Sequence, residues 1–171
     1  MPNNHDAGPN TPLFFERQTF AKWVFILLTF STIILPATLI LATGEVFWPS
    51  IIIIPAVAGV LLALFLGTMQ TIVTQEEVLV TFGLLGAIKF HFPLALIKSF
   101  RVRTYKPLDE YGGWGIKGWD KHRVLNMKGN RGVELSIDKL GKRQAMDMMI
   151  GSQKPEELAT VLRELGLKEI A

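Results

Sequence analysis

The sequence contains no cysteine. A disulfide framework, a thiolate nucleophile, a cysteine-ligated metal and a lipid anchor on an N-terminal cysteine are all excluded. Charge is missing over two long stretches: none falls between Trp23 and Ala42, and none between Val46 and Gln75. The connection from Thr43 to Ser50 lacks lysine and arginine as well. Histidine is sparse, and His5, His91 and His122 stand far from metal-ligand spacing. No serine sits in a nucleophile elbow, and no H-R-D or D-F-G motif occurs. These absences argue for a binding protein rather than an enzyme, with no metal and no cofactor. Internal repeats are absent, which excludes a solenoid. No reading module surrounds the basic residues, so nucleic acid is not an expected partner.

What is present divides the chain in three. Residues 1–19 are an N-terminal segment, expected to be disordered over the Asn-, Pro- and Gly-rich stretch from Met1 to Pro12 and juxtamembrane beyond it. Residues 20–73 hold the two apolar runs. An α-helix rises about 1.5 Å per residue, so about 20 residues cross a ~30 Å hydrocarbon layer. The runs therefore predict a transmembrane hairpin with spans over about 23–42 and 49–69. Gly44 suits the end of the first helix and Pro49 the first turn of the second. Arg17 and Lys22 precede the hairpin, and Lys89, Lys98, Arg101 and Arg103 follow it. The positive-inside rule then puts both termini in the cytoplasm and the protein in the inner (plasma) membrane as a multi-pass chain. A cleavable signal peptide would have a shorter apolar stretch and a small-residue cleavage site; neither is found.

Residues 74–171 change period. Val78, Val80 and Phe82 alternate, as do Ile88, Phe90 and Phe92 against Lys89 and His91, which puts His91 toward solvent. Phe100 and Val102 alternate with Arg101 and Arg103. Val133, Leu135 and Ile137 do the same with Glu134 and Ser136, and Met146, Met148 and Ile150 continue the pattern. Glycine-containing turns separate these runs, as antiparallel strands require. With strands near 112–117 and 123–128 the spacing predicts seven. A helix follows: Pro155 opens it, Glu156 and Glu157 suit its first turn, and Leu158, Val161, Leu162 and Leu165 share one face.

The run from RVRTYKPLDEYGGWGIKG through NMKGNRGVELSI to IGSQKPEELATVL, in the order hairpin, seven strands, helix, resembles a bacterial family of two-span membrane proteins with a pleckstrin-homology-like domain. The resemblance covers about 74–171 and, loosely, the hairpin. It implies an α+β protein: an N-terminal transmembrane helical hairpin, then a seven-stranded antiparallel PH-like barrel or sandwich capped by a C-terminal amphipathic helix. Lipid-binding pleckstrin domains cluster basic residues in their first loop. This chain has Gly83-Leu84-Leu85-Gly86 there, so the resemblance implies the fold and not phosphoinositide recognition.

Two stretches carry candidate function. Gly113-Trp114-Gly115-Ile116-Lys117-Gly118 spells G-x-G-x-x-G. No helix follows it and no βαβ unit surrounds it, so nucleotide binding is excluded as an expectation. Gly113 and Gly115 instead permit tight turns, and Trp114 and Trp119 supply apolar area for a core edge or a partner. The second stretch is basic. On a strand Arg101, Arg103 and Tyr105 share one face, away from Phe100 and Val102. With Lys98 or Arg123 at its edge, that face is expected to bind anionic lipid headgroups or an acidic partner peptide. The function expected is membrane-anchored binding or scaffolding at the cytoplasmic face, with the lipid bilayer as a partner. The alternative is an accessory subunit of a membrane enzyme or transporter, with the hairpin packed on a membrane-protein partner.

Overall fold

In the computed structural model the described residues are 11–19, 38, 41–42, 57, 59, 61, 67–83, 86–119, 122–138 and 145–170, with the side chain of Trp119 outside them. They form nine strands in two sheets. The first sheet is a four-stranded antiparallel meander of β1 (Phe14–Thr19), β2 (Thr68–Val73), β3 (Glu77–Phe82) and β4 (Ile88–Pro93). The second has five strands in the order β5 (Ile97–Thr104), β8 (Arg131–Ile137), β9 (Met146–Gly151), β7 (His122–Asn126) and β6 (Gly115–Trp119). Only β7 and β9 run parallel. Two α-helices, α1 (Pro107–Tyr111) and α2 (Pro155–Glu164), and a 3-10 turn at Leu94–Leu96 are the other elements with described bounds.

One core lies between the sheets. Phe14, Met69, Val73, Val80 and Phe82 of the first sheet pack in one cluster with Phe100, Leu125, Val133, Leu135 and Ile150 of the second. The strand period of two sends these residues to the same side while their neighbours face outward. Leu158, Ala159 and Leu162 of α2 close the cluster, the helix lying over β1, β5 and β8. After α2 the chain turns at Gly166, whose φ of 82° is left-handed. The C-terminal tail then runs along the outer edge of β5. Phe100 N–H donates to Lys168 O at 2.9 Å, and Ile170 N–H to Phe100 O at 2.9 Å.

The expected fold class is corrected. A transmembrane hairpin followed by a seven-stranded barrel does not describe the chain: the strands among the described residues number nine, in sheets of four and five. Among the described residues no helix is long and apolar enough to cross a membrane. The physical reason is visible where strands pair on either side of the apolar region. Thr68 and Met69, expected at the end of the second span, open β2, and Phe14–Thr19, expected to lie in the disordered or juxtamembrane N-terminal segment, form β1 against it. The expected spans otherwise fall outside the described residues, apart from a bend at Gly67 and helical backbone at Thr38, Leu41, Ala42, Val57, Gly59 and Leu61. The membrane keywords and the multi-pass inner-membrane placement rested on those spans, and no described helix carries them.

β1 belongs to the core although two of its inward residues are polar. Phe14, Glu16 and Gln18 point in; Phe15, Arg17 and Thr19 point out. Gln18 Nε2 donates to Gly151 O at 2.8 Å. The buried Glu16 carboxylate accepts from Ser152 Oγ at 2.6 Å and from Gln153 N–H at 2.7 Å. A buried carboxylate is tolerated when hydrogen-bonded in this way. The three bonds stitch the first sheet to the end of β9.

Candidate functional site

The basic face of β5 is built by register. Arg101 pairs across the ladder with Glu134 of β8. Both Nε and Nη2 of Arg101 lie 2.5 Å from Glu134 Oε2. Arg103 Nη2 lies 3.2 Å from the other oxygen, Glu134 Oε1. The same nitrogen donates to Glu110 Oε2 at 2.9 Å and to Tyr111 Oη at 3.0 Å. One acid on β8 therefore holds two guanidinium groups, and α1 adds a second acid. Burial alone would lower the Arg103 pKa, but the hydrogen bond to Glu110 and the charge of Glu134 outweigh it and raise it. Burial likewise pushes Glu110 up, and is outweighed by the hydrogen bonds from Lys106 N–H and Arg103, which leave its pKa lowered.

Tyr105 does not sit on the exposed side of this face. It is 2% exposed and packs edge-on against Tyr111, with ring centroids 5.9 Å apart. Asn126 Nδ2 donates to its hydroxyl at 2.9 Å, while Asn126 Oδ1 accepts from Gly115 N–H at 2.8 Å. The pair ties the end of β5 to the start of β6 through the interior. Burial is the leading cause of a raised Tyr105 pKa, and of a raised Tyr111 pKa. Lys98 is paired with Asp138 at 3.3 Å. Arg123 lies apart on β7, and lines a cavity with Lys89 and His91.

The glycine-rich stretch is a helix end, a turn and an edge strand. Pro107 starts α1, and Glu110 reaches back to accept Lys106 N–H at 2.6 Å. Gly112, with φ 72°, ends the helix and donates its N–H to Leu108 O at 3.0 Å. The chain then enters β6 at Gly115 and returns as β7. Gly118 has φ 91°, and a Cβ there would run into the His122 carbonyl. The β6–β7 connection thus needs glycine at that point, and the third glycine of the motif serves a strand pair rather than a phosphate loop.

This stretch leaves apolar area in solvent. Leu108 is 65% exposed, Trp114 41% and Ile116 43%. Leu108, Pro107 and Trp114 line a groove of about 230 Å³ with Tyr105, Lys106, Asp109 and Asn130. Trp114 is held over it by its Nε1–H bond to Gly129 O, 3.0 Å. Of the residues predicted for this loop, Gly113, Trp114 and Gly115 lie at the groove end of β6, and Trp119 at the other end. Leu108 and Ile116 were missed. The signal for both was present as apolar residues within otherwise polar, glycine-rich sequence. Among the described residues no group of three or more His, Asp or Glu side chains could hold a metal ion.

Comparison of the chain with family models, with curated proteins and with solved structures finds no match.

Proposed function

We propose that the protein is a binding module that docks an extended segment of a partner polypeptide along β6. The observation that carries this reading is the coincidence of a sheet edge with exposed apolar anchors. β6 ends the five-stranded sheet. Its outer edge has no backbone partner among the described residues, whereas the opposite edge, β5, is occupied by the C-terminal tail. An unpaired edge offers a row of N–H and C=O groups that an added strand can satisfy. Ile116 lies on β6 and Trp114 immediately before it, with Leu108 beside Trp114 in the groove, and all three are exposed; tryptophan is among the residues that most often anchor such interfaces. The pleckstrin-homology-like resemblance is compatible with a binding role and adds no ligand to it.

A photo-crosslinking residue placed at Ile116 in the full chain, in its producing cells, tests the reading. A discrete protein adduct is expected at that position, lost when Trp114→Ala is added. A second crosslinker at Glu164, exposed at the end of α2, should give no such adduct. Identical adducts from both positions, or an adduct at 116 indifferent to Trp114→Ala, would reject docking at β6.

A further inference from the structure

A cavity of about 350 Å³ lies where β4, the edge of the first sheet, faces β7 and β9 of the second. It shares no lining residue with the groove beside β6. Its walls are apolar, built chiefly from Phe90, Phe92, Met146 and Met148. The polar groups among its lining are Lys89, His91 and Arg123, and no carboxylate is among its described lining residues.

Two of these cations are unspent. Lys89 stands opposite Thr81 on β3, and Arg123 between Gly118 of β6 and Met148 of β9. No register neighbour supplies an acid, and neither residue has an ion pair among the described residues. His91 differs: its Nδ1 lies 3.0 Å from Glu77 Oε2, so Glu77 orients the ring and leaves Nε2 for another partner.

The volume is at the low end of the ~300–1,000 Å³ typical of small-molecule sites. Each half of the lining asks for something different. The phenylalanine and methionine walls gain by taking apolar surface out of water, and methionine adapts to irregular chains. The cationic side gains only from an anion, most from oxygens that accept charge-assisted hydrogen bonds. Inorganic phosphate would leave the walls unused, and a neutral hydrocarbon would leave the cations unused.

We propose that this cavity binds an amphiphilic anion: one short apolar chain against Phe90, Phe92, Met146 and Met148, and a carboxylate or phosphate on Arg123 and Lys89. The inference stands independently of partner docking at β6.

Calorimetric titration of the full chain with octanoate, octyl phosphate, octanol, acetate and inorganic phosphate tests it. Saturable one-to-one binding is expected for octanoate or octyl phosphate, and whichever binds tighter identifies the headgroup. Octanol, acetate and inorganic phosphate should bind at least tenfold more weakly. Arg123→Glu with Lys89→Glu should weaken the preferred ligand at least tenfold, whereas Lys168→Glu, away from the cavity, should not. Met146→Trp fills the space and should abolish binding. Should that variant fail to fold by circular dichroism, the two exposed charge reversals carry the test alone. No saturable binding of either anion, octanol binding as tightly as the anions, or unchanged binding by the folded charge-reversed protein would each overturn the proposal.

Discussion

Two strands of the five-stranded sheet, β5 and β7, put arginine to opposite use. On β5, Arg101 faces Glu134 across the ladder, and Arg103 reaches the same carboxylate from one pleat along. On β7, Arg123 faces Gly118 on one side and Met148 on the other. The side chains are chemically identical, and both strands show cations to solvent. What differs is the acid within reach: Glu134, opposite Arg101, also meets Arg103, whose own register partner is Gly132, whereas Arg123 faces a glycine and a methionine. A cation's availability in a sheet is thus set by register more than by the face it occupies. The β5 arginines are held in ion pairs, and the β7 arginine has none among the described residues.

Removing the acid should show this most strongly. Glu134→Ala leaves two neighbouring guanidinium groups without their shared counter-charge and should lower the unfolding free energy by about 3 kcal/mol, read from urea denaturation. Next comes the buried pair beneath. Tyr105→Phe leaves the Asn126 amide without its acceptor, at a cost of about 1–2 kcal/mol in the same assay. Burial raises the Tyr105 pKa, so its contribution is complete below the unfolded value of about 10 and is lost as pH rises through the folded value. The phenylalanine variant should accordingly lose less stability than wild type in alkaline titration.

Glu110 works at the other end of the scale. Its folded pKa is lowered, so its contribution is present above the unfolded value of about 4.3 and is lost as pH falls through the folded value. Glu110→Gln should cost about 0.5 kcal/mol at pH 7, because the pair with Arg103 is partly solvated, and should flatten the acid side of the stability profile. The smallest effect belongs to β7. Arg123→Ala should change stability by less than about 0.5 kcal/mol. A loss comparable to that of Glu134→Ala would break the contrast between the two strands.

The alternating runs at Val78–Phe82, Phe100–Val102, Val133–Ile137 and Met146–Ile150 were legible because their alternating apolar residues all turn to the core between the sheets, and the period of two records that direction. α2 was legible from Pro155, its two acids and its leucine face. β1 was not, because its inward positions Glu16 and Gln18 are polar. Their partners, Ser152 and Gly151, lie at the far end of the chain, where no local pattern reports them. β2 was hidden inside an apolar run whose length satisfied a membrane rule. α1 has five residues, too few for a helical period to show. The candidate sites were legible only in composition. Arg101 and Glu134 are 33 positions apart, and their pairing exists only once the register of β5 on β8 is known. The cavity likewise needs β4 brought against β7 and β9, which no stretch of sequence announces.

The last pair in the β1–β2 ladder is Thr19 with Thr68. To the first sheet, residues 20–67 are therefore the connection of an ordinary hairpin whose two ends return to one strand spacing, about 4.8 Å. Closing a longer loop is cheap, about 0.6 kcal/mol for each doubling of its length. The two-sheet body should therefore tolerate replacement of that connection. A two-residue Asn-Gly turn in place of 20–67 should preserve all nine described strands, and with them the groove beside β6 and the cavity under β4. Evolution could likewise lengthen, shorten or replace that segment without renegotiating the core.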